Sequence, residues 1–161
     1  MAKPLRIYVD TSVIGGCFDE KFSADSRQVL ELARAGKLTL IVSEVVLAEL
    51  APAPSPVREL FDGLPRSVLD VRRTDAEIAA LRDSYLAAGV LTSRWRDDAA
   101  HVATATVAQA DALVSWNFKH IVRLDRIKAF NQVNLANGYG ILTILSPTEL
   151  REYDTPDDSR V

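Results

Sequence analysis

The sequence holds a single cysteine, Cys17, and two histidines, His101 and His120. A lone thiol excludes an internal disulfide, and so few Cys and His side chains exclude a structural zinc site built from them. No apolar stretch approaches the roughly 18 to 20 residues that a membrane span needs. The opening Met1-Ala2-Lys3-Pro4 leads into a short strand pattern and not into an apolar leader core, so a cytoplasmic location without membrane contact is expected. An excess of basic charge is missing as well. The formal net charge of -3 excludes a generally basic nucleic-acid binder, while leaving room for phosphate handling through bound cations and a local basic patch. The 7 glycines form neither a Walker pattern nor Gly-x-Gly-x-x-Gly, so no loop of that kind cradles a phosphate. Any metal has to be held by oxygen.

What is present is enough apolar material for one domain: 161 residues, 48% of them hydrophobic, suffice for a core of their own. The domain is expected over 1–152, with a disordered tail over 153–161. Arg6 to Val9 reads as a strand ending at Asp10-Thr11-Ser12, which suits a helix start. A helix over Ser26 to Ala35 ends at Gly36, and a strand follows from Leu38 to Val42. Ser43 caps a helix, Glu44 to Leu50, that stops in Ala51-Pro52-Ala53-Pro54-Ser55-Pro56; helix restarts there and runs to Leu64. Val68 to Val71 is the third strand, and Thr74 with Glu77 has the spacing of a capping box for a helix to Ala88. An Ala-rich helix from Arg96 to Ala110 precedes a strand, Ala112 to Val114, and a loop, Ser115 to His120. Arg123 to Asn134 is helical, Ile141 to Leu145 is the last strand, and Ser146-Pro147-Thr148-Glu149 opens a final helix. Strands separated by helices imply an α/β fold: a mostly parallel sheet of about five strands flanked by helices, with ligands at the carboxyl ends of the strands.

Acids stand at those ends. Asp10 follows the first strand directly, either as a ligand in an open crevice or as the cap of the next helix. Glu49 interrupts a helix that is otherwise apolar apart from Glu44, facing either the crevice or solvent. Asp97 and Asp98 open the Ala-rich helix, where the macrodipole favours negative charge. Asp98 shares a stripe with Val102, Ala105 and Ala108 that turns toward the sheet, so Asp98 is the expected ligand and Asp97 the expected cap. Three carboxylates gathered together repel one another unless a divalent cation neutralises them. Oxygen ligands select Mg2+ or Mn2+, whose bound water is a nucleophile for phosphodiester hydrolysis. His101 and His120 suit proton transfer or simple pairing with a neighbouring acid. Trp116, Phe118 and Lys119, and beyond them Arg123, Arg126 and Lys128, suit either RNA contact or ordinary core and surface roles. An aspartyl-nucleophile phosphatase would show Asp-x-Asp at the first strand, where this chain has Ser12.

The segments Ile7-Tyr8-Val9-Asp10-Thr11-Ser12, Ser43-Glu44-Val45-Val46-Leu47-Ala48-Glu49-Leu50, Asp98-Ala99-Ala100-His101-Val102-Ala103-Thr104-Ala105 and Leu113-Val114-Ser115-Trp116-Asn117-Phe118, in that order and spacing, resemble the PIN domain family, which includes the VapC-type toxins of toxin-antitoxin systems. The resemblance implies a PIN-like fold and a metal-dependent endoribonuclease. Its first three acidic positions fall on Asp10, Glu49 and Asp98, with Asp10 and Asp98 on the metal, Mg2+ or Mn2+. At the fourth position the family commonly has an aspartate and this chain has Asn117, whose amide oxygen can ligate or position water without adding charge. Ser12 matches the family's hydroxyl beside the first aspartate. An RNA substrate, a homodimer and an antitoxin protein are the partners so implied. The amphipathic helices Pro56 to Leu64 and Ala76 to Ala88 are read as a hairpin-like insertion that either offers apolar surface to a second copy or an inhibitor or packs into the core. A catalytically impaired PIN module that binds RNA or protein is the alternative that Asn117 raises.

Overall fold

In the computed structural model residues 3–154 are described, and the expected tail, 153–161, lies outside them from residue 155 onward. Five strands, β1 (Leu5–Val9), β2 (Leu38–Ser43), β3 (Leu69–Arg72), β4 (Ala112–Val114) and β5 (Ile144–Leu145), form one sheet in the order β3-β2-β1-β4-β5. Every pairing is parallel. The strands that occupy the middle are continuous apolar runs because both of their faces are covered: Ile7, Tyr8 and Val9 of β1, Leu40, Ile41 and Val42 of β2, and all of β4 are buried. The helices are α1 (Thr11–Gly16), α2 (Ser23–Arg34), α3 (Glu44–Leu50), α4 (Ser55–Asp62), α5 (Ala76–Ala87), α6 (Arg96–Val107), α7 (Leu124–Ala136) and α8 (Pro147–Asp154). α2 packs with α1 and α8, and α5 packs with α6 and α7. Among the described residues no helix is long and apolar enough to cross a membrane.

Strand order fixes where chemistry can sit. From β1 the chain steps to β2 and β3 on one side, then crosses to β4 and β5 on the other. The crevice between the carboxyl ends of β1 and β4 is therefore the switch point of the sheet, where neighbouring connections leave in opposite directions and open a cleft.

Several boundaries differ from the expected ones for local reasons. The cap of α5 is Asp75, whose carboxylate accepts from Ile78 N at 2.8 Å. Thr74 instead gives its N–H to Glu44, and Glu77 takes the Tyr139 hydroxyl. Val68, the first residue expected in β3, instead ends a 3-10 turn, Arg66–Val68. α6 stops before Ala110 because Gln109 adopts a left-handed φ of 55° and Ala110 N returns to the Ala105 carbonyl, closing the helix as a Schellman turn does. β5 is short because Leu142 commits its N–H and carbonyl to the Asn131 side chain at 2.7 and 3.1 Å. Of the two readings of the helices after the proline cluster, core packing holds: α4 packs toward α1 and α5 along α6 and α7, with Val57, Phe61, Ile78, Leu81 and Tyr85 all turned into the core.

Candidate active site

Asp10 stands at the N-cap of α1, yet its side chain makes no capping bond. Both carboxylate oxygens are occupied otherwise: Ser12 Oγ donates to Oδ1 and Ser115 Oγ to Oδ2, each at 2.6 Å. The two serines are held in turn, since Ser12 Oγ accepts from Trp116 N and Ser115 Oγ from Asn117 N, each at 2.9 Å. Asn117 Oδ1 then accepts from His120 N at 2.9 Å. One relay of bonds thus binds the end of β1 to the loop after β4. Asp10 is only 4% exposed. Burial pushes its carboxyl pKa up, against the opposing pull of the His101 charge and the two hydroxyls.

Glu49, on α3, is fixed from two sides. Thr11 Oγ1 donates to Oε1 at 2.9 Å, and His101 Nε2 lies 2.8 Å from the same oxygen. His101 is buried on α6, and its Nδ1 lies 2.6 Å from the Tyr8 hydroxyl, which donates to Ser43 Oγ at 2.9 Å. With that phenolic proton given to Ser43, the imidazole needs a proton on both nitrogens to satisfy Tyr8 and Glu49 together. Burial works against the charge, but the Glu49 bond and the nearby carboxylates of Asp10, Glu49 and Asp98 outweigh it, so the pKa of His101 is raised. Glu49 moves the other way: burial raises it, and the His101 bond and charge, with Thr11, bring it below its ordinary value. His101 accordingly lies near the three acids with its charged form favoured relative to a free imidazole.

Asp98, in the first turn of α6, has Oδ2 at 2.8 Å from His120 Nδ1. The His120 ring lies against Trp95, with centroids 4.2 Å apart. Asp97 does not cap: the N-cap residue is Trp95, at the end of a 3-10 turn, Ser93–Trp95, and no side chain caps the helix. Asp97 instead lines an open cleft of about 500 Å3 together with Glu49, Asp98, Asn117, Trp95 and His120; Arg94 and Lys119 complete its wall. Among the described residues, no three His, Cys, Asp or Glu side chains converge as a chelating group. The acids share one edge of the sheet, but each is already engaged by a hydrogen-bond donor.

Trp116, Arg126 and Arg123 are engaged within the fold. Trp116 is half-buried, stacked on Phe22 at 4.1 Å and donating its indole N–H to Ser26 Oγ at 2.7 Å. Gly16 makes room for this contact, since a Cβ there would come within 2.6 Å of Ser26 Oγ and 2.8 Å of Trp116 Nε1. Arg126 donates to the Val90 carbonyl, and Arg123 pairs with Asp125, so the basic patch expected on α7 is largely committed elsewhere. Sequence reasoning does not single out Tyr8, Arg94 or Trp95. The last two sit on a turn too short to show periodicity.

With the geometry in place, a family model described as PIN domain matches residues 6–119. A comparison with curated proteins gives no match. Among solved structures, the chain is similar to one in the crystal structure of VapBC2 from Rickettsia felis bound to a DNA fragment from their promoter. Identity is 19% and the TM-score 0.59, over 88% of this chain and 98% of that one. At that identity the likeness concerns the fold.

Proposed function

The chain belongs to the PIN domain family, and from that premise we propose that it is an endoribonuclease that hydrolyses RNA with Mg2+ or Mn2+. The observation that carries the reading is Asp10: a carboxylate buried at the switch point of a parallel sheet, held by two serines that serve no helix cap. Burying an acid at a strand end costs stability, and such a cost is expected where the acid has work to do. The donor set fits a hydrated divalent cation in kind. The acids and the Asn117 amide offer hard oxygens, and Mg2+ needs one or two carboxylates while keeping several of its waters, so the lack of a three-group chelate among the described residues is compatible with it. Asp10 and Asp98 would hold the ion, with Glu49 and Asn117 completing or orienting its shell. When bound, the metal would neutralise the acids and lower the pKa of a water.

The chain's own residues do the rest. Ser12 and Ser115 fix the rotamer of Asp10, His101 and Thr11 fix Glu49, and His120 orients Asp98. Asn117 keeps the loop in place through its bond to His120 N but adds no charge. Its neutrality favours the second reading, a PIN module that binds RNA or protein with little catalysis. Cleavage of a mixed RNA substrate by the purified chain in Mn2+, Mg2+ or EDTA separates the two. The nuclease reading expects cleavage that stops in EDTA; RNA binding without metal-dependent cleavage favours the other. Asn117→Asp retains the oxygen that accepts from His120, so it should fold and bind Mn2+ about three- to tenfold more tightly; unchanged Mn2+ affinity in calorimetry would count against that residue's place in the shell. The similar chain belongs to VapBC2, and on this reading a homodimer and an antitoxin-like partner are proposed here too. Light scattering that gives only the monomer mass of 17.7 kDa at working concentration would exclude the dimer.

A further inference from the structure

Arg94 and Lys119 come from different parts of the chain, the 3-10 turn before α6 and the loop after β4, yet both are seated over one ring. The Arg94 guanidinium carbon lies 5.0 Å from the Trp95 centroid and Lys119 Nζ lies 5.7 Å from it. Both are exposed. Among the described residues neither has an ion-pair partner, although Asp97 and Asp98 line the same cleft. An aromatic face attracts cations, but two on one ring repel each other, and an anion between them relieves that repulsion. Trp95 is also tied to the acids, because His120 lies against it while bonding Asp98 at 2.8 Å. The cleft therefore carries acidic and cationic side chains together.

We propose that Arg94, Lys119 and Trp95 form an anchoring subsite for the substrate strand, binding a phosphate next to the one that is cut. The assignment rests on the nuclease reading for the nature of the ligand. A nucleic-acid strand suits both sets of groups because its phosphates repeat: one meets the acids through a bound cation while a neighbour meets the guanidinium and ammonium directly. These are positioning residues, so their loss should weaken binding and raise KM while leaving kcat nearly intact.

The test is binding of a fluorescein-labelled single-stranded RNA oligonucleotide, read by anisotropy in EDTA and without turnover, between about 50 and 200 mM salt. Arg94→Ala and Lys119→Ala should each weaken binding several-fold and reduce the salt slope by about 0.7 for every phosphate no longer neutralised. Lys119→Arg should restore the slope. Lys37→Ala, at the amino end of β2 on the opposite edge of the sheet, should change neither. Unchanged slopes in both alanine variants would overturn the subsite whether or not the wild type cuts RNA. Reduced slopes in the alanine variants, with a wild type that fails to cleave, would retain the subsite and remove only the nuclease reading. Trp95→Leu should lower the slope as well; because that ring is half-buried, the two exposed cations remain the deciding variants.

Discussion

Asp10→Asn should abolish RNA cleavage, by a factor on the order of 10^2 to 10^4, without destabilising the fold. The amide has the carboxylate's shape and keeps one acceptor oxygen for a serine, and the facing hydroxyl can rotate to accept from its NH2 group. What disappears is the charge. Because burial raises the pKa of Asp10 in the folded chain, the ionised form is held at a cost, and its removal should leave urea stability equal to the parent's or higher by about 1 kcal/mol. The sign of the pH dependence follows. A raised carboxyl favours the fold at pH below its unfolded value of 3.8, and that benefit is lost as the pH rises through the folded value. The parent should therefore lose some stability across this range that the variant keeps. Retained cleavage, or loss of activity only because the variant unfolds, would remove Asp10 from the chemistry.

The second large effect is expected at His101. His101→Ala empties a buried site and takes a partner from both Tyr8 and Glu49; such losses commonly cost about 2 to 4 kcal/mol. Equilibrium urea unfolding measures it, and a change below about 1 kcal/mol would mean that the network contributes little. The pH profile shows whether charge is involved. His101 is raised in the fold, so its contribution is complete below its unfolded value of 6.5 and fades as the pH rises through the folded value. Glu49 is lowered, so its contribution is complete above 4.5 and fades as the pH falls through the folded value. The parent should be steadiest between those limits and weaken on the alkaline side. His101→Gln should show no such alkaline decline.

Much of this fold can be read along the chain because its central strands are buried on both faces and so appear as unbroken apolar runs, while Gly36 and Gly89, where the backbone turns left-handed, mark the ends of α2 and α5. Boundaries are less legible wherever a distant side chain claims backbone groups, as Asn131 does beside β5 and Glu44 does beside Thr74. The same limit applies to the site. Asp10, Glu49 and Asp98 stand out because each is an acid at a strand or helix end. For His101 the chain suggests packing or pairing with a neighbouring acid, and the pairing is with Glu49, 52 positions away on another helix. Spacing along α6 cannot show that contact. Nor can it show that the Asp98 partner is His120, delivered by the loop after β4.

Asp10 and Ser115 meet across 105 positions of chain, which has a consequence for synthesis. A ribosome completes β1, β2 and β3 before β4 has been made, and at that stage the aspartate has neither its second serine nor the loop that carries Asn117. On the proposed nuclease reading, and since a domain folds as a unit, an unfinished product truncated ahead of Ser115 would be inert toward RNA. On that reading, a cell making this protein would meet the activity only once β4 had been inserted beside β1.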